Sequence, residues 1–274
     1  MSSTPRTARA LARETLTQQI LDAARARLRS DGPAGLSLRA VARDVDMVSS
    51  AVYRYFPSRD ALLTRLLIDS YGELGETVER ADAGIERDDT GGRWLAACRA
   101  LRTWCVERPG DFALLYGTPI PGYAAPQDTV EPATRVIRVL VRIVGDAYAA
   151  GARALPPPGA ANGGGSADAS SVGTGAPAGE AGAGPGEVGA PAGAHTDVDD
   201  LVASARDYVV QRGLAPEDVA TESVVRTLMA WSQLFGTVSF ELFGHLVGSV
   251  SDTTRWYDEV ATRLGADLGI PAPA

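Results

Sequence analysis

Two interruptions, DGPAG at 31–35 and DMVSS at 46–50, cut the start of this chain into short helix-forming segments, and that spacing leaves few folds open. Before the first break, Ile20, Leu21, Ala24 and Leu28 recur at helical spacing within residues 15–30, with Arg25, Arg27 and Arg29 mostly off that stripe. After it, Ser37 is placed to cap a second helix of about two turns, with Leu38, Val41, Ala42 and Val45 as its buried face. Leu36 and Val41 occupy the staple positions around that cap. The second break leads into a third short segment, SAVYRYF (50–56), and then PSRD (57–60). There Ser58 opens a longer helix, carried to about Ala83 by Leu62, Leu63, Leu66 and Leu67. Three helices whose second and third members are joined by a tight turn follow the helix-turn-helix plan.

The rest of the chain is also helical in pattern. A polar break at 85–92 precedes a helix over 93–107 with Trp94, Leu95, Cys98, Leu101, Trp104 and Cys105 on one face. Pro109 and Gly110 interrupt it, a turn of helix runs from Phe112 to Tyr116, and GTPIPGYAAP (117–126) reads as loop. Residues 129–150 carry Val136, Leu140, Ile143, Val144 and Ala147 at helical spacing. The stretch 151–194 holds 13 Gly, 13 Ala and six Pro, too few large apolar groups to offset the entropy of ordering, so 151–196 reads as a disordered low-complexity insert. Further helices are expected over 197–212, with Leu201, Ala205, Tyr208 and Val209, from Pro216 to about Leu246, and from Asp252 to about Leu268. No strand pattern competes. The expectation is an all-α protein of nine or ten helices: a helix-turn-helix domain over 15–62 and a larger helical body over 63–150 and 197–270.

The formal charge of −8 hides an asymmetry: residues 1–66 carry +5 and the remainder −13, with every basic residue an arginine. A basic module on an acidic body is compatible with nucleic acid, because phosphate contacts need local positive charge and not a positive total. Cys98 and Cys105, seven residues apart on one helix, lie about 10 Å apart along its axis, too far for a disulfide. They read as buried small side chains. His245 has no partner at metal-ligand spacing and His195 lies in the low-complexity stretch, so no metal or other cofactor is expected. A Ser-His-Asp set and a phosphate-cradling loop after a strand are both missing, which argues against an enzyme. No run approaches the length of a membrane span, and the first residues lack the apolar core of a signal peptide; a cytoplasmic location and no membrane partner are expected.

The segment LSLRAVARDVDMVSSAVYRYFPSRDALL (36–63) resembles the TetR family of repressors. The Ser-capped second helix, Ala42, the Tyr-x-Tyr-Phe at 53–56 and the Ser58-Arg59-Asp60 helix opening carry the resemblance. It implies that the third helix enters the major groove of double-stranded operator DNA. The free N–H groups at the start of that helix favour a phosphate or base edge, and Ser49, Ser50, Tyr53 and Arg54 are best placed to reach DNA. The family pattern puts the Tyr53 hydroxyl and Arg59 on phosphates, with Ser37 and Arg39 as further backbone contacts. Val48 and Tyr55 complete the candidate surface, although Tyr55, like Phe56, also reads as core. Two positions depart from the family: Asp46 stands at the turn usually held by Gly, and Val48 where many relatives cap with Ser or Thr. The segments 116–126 and 229–246 resemble the branch whose body is called the WHG type. That resemblance implies a homodimer formed by the two terminal helices and an unknown small-molecule effector, with Trp104, Tyr116, Tyr148, Trp231 and Phe235 as candidate pocket residues. The implied function is a ligand-responsive repressor on a palindromic operator. The alternative is an activator, or a regulator that senses a protein partner and no small molecule.

Overall fold

The computed structural model describes residues 7–155 and 198–273, so the expected insert lies outside the described residues from 156 onward. Every regular element among the described residues is helical, as the sequence pattern implies. The helix-turn-helix head comprises α1 (Ala8–Asp31), α2 (Leu38–Asp44) and α3 (Ser49–Val52). The body comprises α4 (Arg59–Ala83), α5 (Thr90–Glu107), α6 (Pro109–Tyr116), α7 (Val130–Ala133), α8 (Arg135–Ala149), α9 (Val198–Gln211), α10 (Thr221–Leu242) and α11 (Thr253–Asp267). Short 3-10 turns at Pro33–Gly35 and Gln127–Thr129 lead into α2 and α7.

Several boundaries differ from the sequence expectation, each for a local reason. α1 begins at Ala8 because the Thr7 hydroxyl accepts from the Ala10 N–H at 3.3 Å, and the Ala-, Leu- and Arg-rich run behind it is a good helix former without burying anything. α6 begins at Pro109, where the ring fits the first turn. The expected helix over 129–150 divides at Thr134, whose N–H reaches both Val130 and Glu131 carbonyls, which makes α7 a separate element. Pro216 opens a turn, closed by the Val219 N–H on its carbonyl at 3.1 Å, and α10 starts five residues later. At the other end Gly244, at φ 76°, stops α10 before Leu246.

Two cores hold the chain. In the head, Ile20, Leu21, Ala24 and Leu28 of α1 pack on Leu38, Val41 and Ala42 of α2, on Val52 and Phe56, and on Leu62, Leu63, Leu66 and Leu67 of α4. Each such aliphatic group contributes on the order of 1.5–3 kcal/mol by leaving water. The body core gathers Leu74, Trp94, Leu101, Trp104, Phe112, Leu140, Leu234 and Tyr257. α4 runs through both, and α6 joins them, giving Phe112 to the body core and Leu114 to the head core. The Trp94 indole N–H donates to the Ala261 carbonyl at 2.8 Å, and Arg102 forms a two-point pair with Glu241 at 2.8 and 2.5 Å, tying α5 to α11 and α10. Arg93, almost wholly buried, is held by Asp82 and Asp146, each at 2.7 Å.

Candidate DNA interface and effector cavity

Val52 and Phe56, four residues apart, are the buried side of the third segment, so helical spacing turns Ser49, Ser50, Tyr53 and Arg54 the other way. The helix proper is a single turn, Ser49–Val52, continued as turns through Tyr55. Tyr53 is 44% exposed and Val48, its N-cap residue, 70% exposed; Arg39, Ser50 and Arg54 are exposed as well. Ser37 caps α2 in extended geometry but accepts no hydrogen bond from the helix, which leaves its hydroxyl available. Ser49 is half-buried. Tyr55, also half-buried, packs against the head core with the Arg13 guanidinium 5.8 Å from its ring centre.

The turn between α2 and α3 closes through the Met47 N–H on the Ala42 carbonyl at 2.9 Å, and this puts Asp46 at φ 53°. Among the described residues Asp46 is the one non-glycine with positive φ. α2 is braced from behind: Arg27 grips Asp44 at 2.5 and 2.9 Å and Asp31 at 3.0 Å, which lifts its already high pKa through the carboxylate bonds. Arg59 donates to the carbonyls of Leu36, Pro33 and Ala34 at 2.9, 3.0 and 3.1 Å. That clasp fixes the α1–α2 connection on the start of α4, a role the sequence did not suggest, because carbonyl positions leave no mark in it. The atoms used are Nε and Nη2, so Nη1 is left for a phosphate.

In the body, a cavity of about 410 Å³ lies between α8, α9 and α10. Tyr148 and Trp231 stand in its wall, together with Tyr208 of α9. The other three aromatic candidates, Trp104, Tyr116 and Phe235, belong to the adjoining core and not to the wall. They are nevertheless connected to it: Trp231 meets Phe235 edge-on at 6.2 Å, and Phe235 lies 4.1 Å from Tyr116, which also touches Phe112 and Tyr71. On α9 it is Val202 and Val209 that are buried, while Leu201 is exposed. The Cys98 and Cys105 sulfurs are free, and burial pushes both thiols well above the usual range, so they are not reactive thiolates. No group of potential metal ligands occurs among the described residues, and no described helix is long and apolar enough to cross a membrane.

The sequence reading missed the contacts that tie α6 to the head. Asp111 accepts from the Ser70 hydroxyl at 2.7 Å and lies 3.8 Å from Arg25 of α1. Arg25 also pairs with Glu73 at 3.0 Å. Gly110 rides so close to α1 that a Cβ there would stand 3.0 Å from the Arg29 nitrogen. The signal available in the sequence was the Pro-Gly-Asp at 109–111, which reads equally well as a plain helix break.

A braced helix-turn-helix with an exposed third segment, set on a helical body, defines the class: a DNA-binding transcriptional regulator. A family model described as "Bacterial regulatory proteins, tetR family" matches residues 20–66, and one described as "Tetracyclin repressor-like, C-terminal domain" matches residues 94–264. The latter spans more than half of the chain, and the protein belongs to the TetR family. It is 50% identical over 141 residues to HTH-type transcriptional regulators of Mycobacterium tuberculosis and Mycobacterium bovis. That match covers 51% of this chain and 58% of each relative, so the chain spans little more than half of the curated relatives' length. Solved structures share the fold. One protein described as regulatory superposes with a TM-score of 0.63 at 24% identity, covering 95% of this chain and 98% of the other. A tetR-family regulatory protein from Rhodococcus RHA1 superposes at 0.53 with 13% identity, covering 94% and 97%.

Proposed function

We propose that this protein is a ligand-responsive repressor that binds a palindromic operator as a homodimer and is released by a small hydrophobic molecule. The observation that carries the reading is the path between cavity and head: Trp231 in the wall, Phe235 behind it, Tyr116 on α6, and Asp111 at the far end of α6 beside Arg25 of α1. Ser37, Arg39, Ser49, Ser50, Tyr53, Arg54 and one free nitrogen of Arg59 face DNA, with Val48 and Tyr55 at the edge of that surface. Most of these contacts are to phosphate and position the head, while the few at the start of α3 read bases. Two heads of the dimer reach successive major grooves about 34 Å apart, or a multiple of that. A ligand that binds better to a body with a different α6 position draws the population away from the DNA-competent spacing. The domain division follows the same logic: the head over 15–62 reads DNA and the remaining helices sense and dimerise.

The test is an electrophoretic shift on the DNA upstream of the protein's own gene. Retardation should weaken steeply with salt, with a stoichiometry of two chains per site. Tyr53→Phe, which removes one hydroxyl from a charged acceptor, should cost about tenfold in affinity. Salt-insensitive retardation, together with a Tyr53→Phe variant equal to wild type, would defeat the reading.

A further inference from the structure

The cavity's chemistry narrows its ligand. Its volume, about 410 Å³, falls toward the small end of the roughly 300–1,000 Å³ typical of ligand pockets. The wall is almost entirely apolar, with Val141, Val224, Leu228 and the rings of Tyr148, Tyr208 and Trp231 among its surfaces. Arg138 is the one charged side chain that lines it among the described residues, and its guanidinium is held by Glu131 at 2.7 Å. Arg153 and Arg212 lie over the rings of Tyr148 and Tyr208, 4.1 and 4.6 Å from their centres, and neither lines the cavity. An anion entering here finds no uncommitted cation, and a cation finds no carboxylate.

One polar group is unaccounted for. The Tyr208 hydroxyl is sealed from solvent and has no hydrogen-bond partner, although its ring forms part of the wall. A buried hydroxyl without a partner is costly, and water does not reach this one. A partner brought in by a bound molecule would satisfy it, and a phenol both donates and accepts.

We propose that the cavity takes a neutral, compact, largely apolar molecule carrying one hydroxyl or carbonyl group, which hydrogen-bonds to Tyr208. This rests on the ligand-responsive reading above and specifies the class of its effector. Tyr208→Phe removes an oxygen that bonds to nothing in the free protein, so the variant should fold and melt as wild type does.

The experiment titrates the full-length protein calorimetrically with naphthalene, 2-naphthol and 2-naphthoate, three probes of one shape that differ in their polar group. In the wild type, 2-naphthol should bind once per chain, about threefold to tenfold more tightly than naphthalene, the worth of one net hydrogen bond. The carboxylate should bind at least about tenfold more weakly than 2-naphthol, since it enters without a partner for its charge. In Tyr208→Phe the preference for 2-naphthol over naphthalene should vanish while naphthalene affinity is kept. Tighter binding of 2-naphthoate would overturn the neutral class and leave the ligand-responsive reading standing. An undiminished preference for 2-naphthol in Tyr208→Phe would overturn the role of Tyr208 alone. If none of the three binds to protein that still retards DNA, the ligand-responsive reading falls with the proposal.

Discussion

At Asp46 a single side chain carries both a conformational and an electrostatic load. A φ of 53° crowds an L side chain against its own backbone, and glycine escapes this. The carboxylate also sits in the turn beside the proposed DNA surface. Two substitutions separate the effects. Asp46→Gly should raise the unfolding free energy by about 1 kcal/mol in chemical denaturation, as expected for relief of left-handed strain. Asp46→Asn keeps the side chain's tolerance for this conformation and should leave stability within about 0.5 kcal/mol. Both remove a negative charge facing phosphate, so both should tighten DNA binding at low salt, with the gain fading as salt screens it. If Asn leaves DNA affinity unchanged at low salt, the charge does not reach the interface. This position was legible in advance because the spacing of the two helices demands a reversal there. Arg59 was not: its three carbonyl acceptors at 33, 34 and 36 are backbone atoms whose positions exist only once α1 and α4 have packed.

α6 shows the same contrast at the level of an element. Pro109 and Gly110 look like a helix break, yet the proline fits the first turn and the glycine lets α6 lie against α1. A Cβ on Gly110 would meet Arg29 at Cγ, N and Cα, at 2.9, 3.0 and 3.2 Å, and the two main-chain atoms have no room to give. Gly110→Ala should therefore lower stability by about 1–3 kcal/mol, the usual cost of overpacking, read as a fall in the thermal midpoint. It should also blunt the response: more ligand would be needed to release DNA, because α6 no longer bears on α1. Asp111→Asn gives the milder version, since an amide oxygen still accepts from Ser70 but loses its charge toward Arg25. A Gly110→Ala protein with an unaltered midpoint and release curve would show that the close approach carries no weight. The helices themselves were readable from periodicity. What joins them was not, because a contact between α6 and α1 pairs residues about eighty positions apart that share no pattern.

Across the whole molecule, charge asymmetry and helical periodicity were enough to anticipate a basic head on an acidic helical body, and the two cores follow that division. What periodicity does not separate is a face buried within the chain from one kept for a second copy. Exposure does. Along α10 and α11 and the turn between them, Met229, Phe240, Phe243, Val247 and Trp256 are exposed, Val247 to 84%. Large apolar side chains clustered this way on a water-soluble surface mark a contact site. The proposed dimer places them against their two-fold mates, and aromatic groups in such positions commonly carry the greater share of the binding energy. Phe240→Asp should then raise the dimer dissociation constant at least about tenfold, seen by sedimentation velocity as monomer at micromolar concentration. Because Phe240 is 54% exposed, the substitution should spare the monomer's helicity and its thiol burial, which circular dichroism and native thiol titration would register. Operator binding should fall more steeply than dimerisation, since each head alone makes half of the phosphate contacts and the salt slope should drop to about half. A Phe240→Asp, Val247→Asp double variant that sediments as a stable dimer would move the interface away from α10, and with it the geometry by which two heads reach one operator.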